Sequence, residues 1–295
     1  MDGILDSIDE YIHEILGGWV IDNLTSMFSF VNEATGIITD EAAKTPETWN
    51  SDIFTMIQSI ANDVVVPIAA MIITAILCYE LINMVIDRNH MTTDGGETSL
   101  FFIFIIKACI AVLLLTKTFD ITVAIFEVGS SVVTSASSTI TTEVSGLDPW
   151  EILPENFYET VIEPMSIGGL LAAGIETYLV NTCMTIIGVL ITVILYGRMM
   201  EIYIYLSVAP IPFATFSNKE WGSIGTNYVK ALVALAFQAF FIMICVGIYV
   251  ALVAGVSSTF ESLHKTLWTC VGYTVLLCIM LFKTGNISRS IFNAH

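Results

Sequence analysis

The sequence predicts an all-α polytopic membrane protein with about five transmembrane helices and one proline-containing re-entrant or interfacial hairpin. Its amino terminus is expected outside and its carboxyl terminus inside. Three observations carry that expectation. Of the 295 residues 55% are hydrophobic and 13% charged, with a mean hydropathy of +0.80, whereas a soluble domain carries about 25% charged residues. Five apolar runs separate the polar stretches, and a hydrocarbon core of roughly 30 Å needs about 20 apolar residues per helix. The acids, finally, cluster in alternate connections. Residues 1–63 hold twelve Asp or Glu against Lys44 alone, and residues 118–170 hold eight acids with no Lys or Arg. Inner loops collect the basic residues, so those two acidic regions are expected outside.

The first 63 residues are expected to form an acidic extracytoplasmic region with amphipathic helices. Ile4, Leu5, Ile8, Ile12, Ile15 and Leu16 recur at helical spacing opposite Asp6, Asp9, Glu10 and Glu14, and Gly17-Gly18 reads as the stop. An apolar stretch over 19–31, a loop over 32–48 and an amphipathic lead-in over 49–60 follow. The tail shows no basic first region of a cleavable signal. It is expected to cross uncleaved, favoured by a membrane potential worth about 2.3 kcal/mol per charge per 100 mV.

Residues 64–117 are expected to hold the first two transmembrane helices, at 64–86 and 100–115. Pro67 falls in the early turns of the first, where a missing N–H costs little. Arg88 places the intervening turn inside. Residues 118–170 read as an acidic extracytoplasmic loop, with an outer-surface helix over 119–133 and a flexible Ser/Thr-rich stretch over 130–145. LDPWEILPENFYETVIEP at 147–164 reads as a docking surface. Gly168/Ala172 and Gly169/Ala173 have the small-xxx-small spacing that lets helices approach closely.

The C-terminal membrane domain, 171–295, is expected to hold transmembrane helices at 177–196, 231–254 and 267–282 and a re-entrant segment at 202–216. That last run is only 15 residues long and contains Pro210 and Pro212, and runs this short re-enter more often than they span. A hairpin at the inner mouth keeps Arg198, Lys219, Lys283 and Arg289 on one side.

Chemistry is sparse. Glu80 and Lys107 fall inside the first two expected helices at similar depth, about 9–11 Å from the inner boundary at 1.5 Å per residue. They read as a structural ion pair or, less economically, as an ion path. Arg198 and Glu201 are three apart on one helical face and suited to pair locally, or Arg198 holds the hairpin. Gln238 is a candidate interhelical hydrogen-bonder. His13, His90, His264 and His295 lack metal spacing, and no G-x-x-x-x-G-K-[ST] loop occurs. No enzyme and no cofactor are expected. Cys78, Cys109, Cys183, Cys245, Cys270 and Cys278 all lie in the expected helices and read as small core residues. A net charge of −18 argues against wrapping nucleic acid in a basic groove of the chain's own.

The stretches TPETWNSDIFTMIQSIANDVVVPIAA (45–70), YGRMMEIYIYLSVAPIPFATFSNKEWGSIGTNYVKALVALAFQAFFIMICVGIY (196–249) and GYTVLLCIMLFKTGNISRSIFNAH (272–295) resemble one family. It is the TrbL-like polytopic subunit of conjugative type IV secretion systems, in the branch carried by integrative conjugative elements of Gram-positive bacteria. The APIPFAT and FKTG…SIFNAH runs carry the likeness to that branch. The resemblance implies a homo-oligomeric component of the bacterial cytoplasmic membrane that helps single-stranded DNA with bound relaxase cross. It also implies partners, a bitopic scaffold subunit and cytoplasmic ATPases, and no catalytic residues. An ion-coupled transporter and a purely architectural anchor are the alternatives.

Overall fold

The computed structural model describes residues 2–88, 97–143, 156–218, 220–257 and 262–294, and among them every regular element is helical. The elements are α1 (Asp2–Ala43), α2 (Pro46–Trp49), α3 (Ser51–Ser59), a π-helical turn (Ile60–Val65), α4 (Val66–Arg88), α5 (Glu97–Thr116) and α6 (Thr118–Glu143). A second π turn (Tyr158–Ile162) precedes α7 (Ile167–Val208), α8 (Pro210–Ala214), a 3₁₀ turn (Thr215–Ser217), α9 (Gly222–Ser257) and α10 (Leu263–Ile291). In lipid a backbone must satisfy its own hydrogen bonds, which leaves helices as the means for one chain of this composition to cross.

Among the described residues five helices are long and apolar enough to span: Ser51–Ile86, Thr118–Ile140, Ile167–Val208, Gly222–Val256 and Leu263–Ile291. Four contain expected spans. The fifth differs: α6, expected on the outer surface, is among the five, whereas α5, which holds the span expected at 100–115, contributes a shorter apolar stretch, Phe101–Thr116, among the described residues. Asp120 sits in the first turn of α6, where the helix dipole favours an acid, and Lys117 pairs with it at 3.0 Å. The apolar body of α6 is then left with Glu127 as its one internal carboxylate before Glu143.

Three sequence expectations are corrected. The helix does not stop at Gly17-Gly18 but runs to Ala43. Gly17 is small because a methyl there would lie 3.0 Å from Ile162 Cγ2. The expected loop 32–48 is mostly α1, since Val31, Ala34, Ile38 and Ala42 continue a buried stripe at helical spacing. The chain breaks only at Lys44-Thr45, where Thr45 and Thr48 form a capping box with Pro46 at the helix start. The Ser/Thr-rich stretch 130–145 is helical through Glu143. Two of its hydroxyls return to the backbone carbonyl of the preceding turn, Ser138 to Ser135 at 2.8 Å and Thr139 to Ser135 at 3.1 Å, and Ser130 reaches the Ala43 carbonyl.

Two compact units emerge, and several helices contribute to both. The first comprises Met1–Ala42, Val133–Tyr196 and Phe240–Thr284. Here α1 lies parallel to α7. His13 bonds to the Met165 carbonyl at 3.0 Å, Asn23 donates to Thr177 Oγ1 at 3.2 Å, and the Trp19 and Phe30 rings cover Gly174 and Gly188. Those glycines are 14 residues apart, close to four helical turns, so they share a face. Tyr249 and Thr274 join α9 to α10 at 3.0 Å. Glu176 Oε1 accepts from Trp268 Nε1 at 2.8 Å and pairs with His264.

The second unit comprises Ala43–Val132, Gly197–Ala239 and Gly285–His295. Asn50 caps α3 by accepting from the N–H groups of Asp52 and Ile53. The π turn then lets Val66 N–H reach the Ala61 carbonyl, one residue further back than in an α-helix. That wider turn immediately precedes Pro67, whose ring would crowd a regular turn.

Candidate functional site

The break between α7 and α9 is an irregular stretch of backbone in the second unit. The first half of the expected re-entrant segment, 202–208, is the end of α7. Pro210 opens α8 without needing an N–H donor, and Pro212 follows within it. Thr215 then locks the corner, donating to the Pro212 carbonyl at 2.7 Å and accepting from Gly225 N–H at 3.1 Å. Asn218, buried, accepts from the N–H groups of Glu220 at 2.7 Å and Trp221 at 3.1 Å. Gly225 is required for the close approach, since a methyl there would stand 2.7 Å from the Pro212 carbonyl oxygen. Past the corner the chain returns along itself. The Tyr205 and Tyr228 rings stack at 5.7 Å and Phe213 meets Tyr228 edge-on at 6.0 Å. Further in, Met199 and Ile202 share a cluster with Leu232, Leu235 and Ala236. Tyr203 ties α7 to the start of the unit by donating to the Pro46 carbonyl at 2.7 Å.

The corner rests on the α4/α5 pair. Ala214 and Ile211 pack with Ala69 and Ile73 of α4 and Ala111 and Leu115 of α5. Ile73 is about 22 Å along α4 from Arg88 at 1.5 Å per residue. The corner therefore sits at the end of the pair remote from the 89–96 connection. The sequence expectation put corner and connection on the same side of the bilayer, and this packing is incompatible with that if α4 and α5 both cross.

The second unit also holds a charge cluster. The end of α10 is held on α9 by Ser288, whose hydroxyl donates to the Ala234 carbonyl, and by Phe292, whose ring meets Phe237 at 5.2 Å. Gly285 faces the Gln238 amide. This register brings Arg289 to Glu201 of α7, and the two form an ion pair. Glu201 was expected to pair with Arg198 instead. Among the described residues Arg198 has no ion pair, is 6% exposed, and its buried Nε has no hydrogen-bond partner. Arg289 stands 88 residues from Glu201, so no local pattern announces the contact.

The remaining expected residues are placed as follows. Glu80 is half-buried and Lys107 exposed, and no ion pair joins them. Gly168 has open space where a side chain would be, Gly169 faces its own turn, Ala172 is exposed and Ala173 buried. The close helix approaches occur at Gly174 and Gly188 instead. The Lys219 position lies outside the described residues, as do 89–96 and 144–155, which include most of the expected inner turn and part of the expected docking surface. The six cysteines are free thiols. No His/Cys/Asp/Glu group among the described residues has the grouping to hold a metal ion.

The chain is similar to a family described as TrbL/VirB6 plasmid conjugal transfer like protein, whose model matches residues 31–210, more than half of the 295. The match runs from the second half of α1 to the first proline of the corner. No curated protein and no solved structure matches significantly.

Proposed function

The chain belongs to the TrbL/VirB6 conjugal transfer-like family, and from that premise we propose that it is a channel or scaffold subunit of a conjugative type IV secretion system. In this reading it helps single-stranded DNA with bound relaxase cross the cytoplasmic membrane. It works as a homo-oligomer beside a bitopic scaffold subunit and cytoplasmic ATPases, in the branch carried by Gram-positive integrative conjugative elements. The family match over 31–210, laid on five helices long enough to span, is the observation that carries the proposal. Energy is assigned to the partner ATPases, in keeping with a sequence that holds no P-loop. An ion-coupled transporter is less well supported: such proteins use paired broken helices, and α9 and α10 run unbroken through their described lengths.

The orientation proposed keeps the amino terminus outside and the carboxyl terminus inside, with α6 rather than α5 as the second crossing. The packing of Ile211 and Ala214 on Ala69, Ile73, Ala111 and Leu115 supports this choice. It lets the corner and the α5–α6 junction both lie inside. α4 and α5 then form an apolar pair of which only α4 belongs to a crossing. Ile82, Phe102, Ile106 and Leu113 supply its exposed face, its backbone satisfied within the helices. Lys117 then joins the inner basic residues.

Deletion and crosslinking in a mating donor test the function. Removing the chain should abolish transfer, and restoring it should recover transfer. Formaldehyde trapping during mating should give an adduct between this subunit and the transferring strand. Loss of transfer without an adduct means an architectural anchor, and transfer that survives deletion ends the proposal.

A further inference from the structure

Arg198 is the least explained side chain in the described structure. Its neighbours along α7, Leu195, Met199 and Ile202, are all buried apolar groups. The residue is 6% exposed, and its buried Nε finds no acceptor. The carboxylate whose charge acts on it is Glu201, one turn on, yet Glu201 is already engaged by Arg289. Glu201 thus neutralises Arg289, and the Arg198 charge is left without an ion pair in a low-dielectric setting. Leaving a buried ion without a counter-charge costs several kcal/mol, so the cluster is stabilised by any second anion that can enter it. The Arg289 and Glu201 side chains are 41% and 37% exposed, so the solvent-facing part of the cluster is the Arg289 side.

We infer that Arg198 and Arg289 form a site for a phosphate group, supplied by the headgroup of an anionic phospholipid. The planar guanidinium fork matches phosphate oxygens in a way an ammonium does not. Basic pockets between transmembrane helices are places where such headgroups lodge. The site is built from α7 and α10, both candidate spans, so lipid phosphate is the phosphate at hand. Glu201 tunes the site. Paired with Arg289 it holds one guanidinium back, and an arriving headgroup competes with it for both. The inference rests on α7 bordering a bilayer and is independent of the conjugation reading.

Full-length protein in a zwitterionic detergent, stripped of lipid, can be titrated with short-chain phosphatidylglycerol, short-chain phosphatidylcholine and inorganic phosphate, with the unfolding midpoint as readout. Wild type should be raised by phosphatidylglycerol and left unchanged by phosphatidylcholine. Arg198→Gln should weaken that response at least about tenfold, the size of one lost charge-assisted hydrogen bond. Arg198→Lys, which keeps the charge and is the safer variant to fold, should weaken it less. Glu201→Gln should strengthen it by removing the internal competitor. A purely structural role for Glu201 would instead lower stability without tightening binding, and that result overturns the inference. Lys283→Gln, exposed and apart from the cluster, should change nothing. Equal phosphatidylglycerol responses in wild type and both Arg198 variants would remove the site. Inorganic phosphate acting as strongly as phosphatidylglycerol would overturn the lipid assignment.

Discussion

At the scale of single residues, the corner between α7 and α9 depends on one hydrogen and one hydroxyl. Gly225 has room for a hydrogen only, because the atom facing it is the backbone carbonyl of Pro212 at 2.7 Å from where a methyl would be. Backbone cannot swing aside as a flexible side chain can. Gly225→Ala should therefore cost about 1–3 kcal/mol, as overpacking does, measured as a lowered unfolding midpoint in detergent. Gly222→Ala is the matched control: the nearest atom would be 3.7 Å away, and its midpoint should hold or rise. Tyr203 ties α7 to the carbonyls of Pro46 and Asn50, at 2.7 Å and 3.3 Å. Tyr203→Phe keeps the ring packed against Trp49 and removes only the hydroxyl, so a loss of about 1 kcal/mol is expected by the same assay. An unchanged midpoint would mean that those carbonyls find water instead.

At the scale of elements, α1 and α7 meet through two large rings over two glycines. Within lipid there is little hydrophobic drive to bring helices together, so close packing supplies the association. A methyl at Gly174 would overlap the Trp19 ring, and Gly174→Ala should loosen the pair. Trp19→Leu alone should also destabilise, by vacating the space the indole fills. The double change should cost less than the two single losses together, with a coupling of about 0.5–3 kcal/mol, and additive losses would deny the contact. The same pairing explains what the sequence could not disclose. A glycine that ends a helix and a glycine that admits a neighbour look alike in a linear string. Gly17 became legible only once Ile162 was found beside it. Small residues at 168–173 had the right spacing, but the rings that need small partners lie opposite 174 and 188. By contrast, the prolines at 210 and 212 act through their own missing N–H groups, and the break there was readable without any partner.

For the whole molecule, hydropathy and the alternation of acids were enough to give helices, their approximate number and the membrane. They put the second crossing at 100–115 and α6 on the outer surface, a choice that turns on packing. The run 101–116 is the more apolar but shorter, and 118–140 is longer and carries Ser and Thr, of which Thr122, Ser138 and Thr139 return their hydroxyls to the preceding turn. The corner contacts with Ala69, Ile73, Ala111 and Leu115 favour α6. Lys117, between the two helices and with its side chain 64% exposed beside Asp120, is where the alternatives separate. A Lys117→Cys variant in a background without the six native cysteines should be blocked by a membrane-permeant thiol reagent and untouched by an impermeant one applied to intact cells. Cysteines at 40 and 150 should react from outside, and one at 290 only after the membrane is opened, which fixes the two termini independently. If position 117 labels from outside while 40 and 290 keep their sides, α5 crosses after all. The corner would then have to leave α4 and α5 in the membrane. Loss of the Ile211–Ala111 neighbourhood, read as a failure of paired cysteines at those two positions to crosslink in membranes, would accompany that outcome.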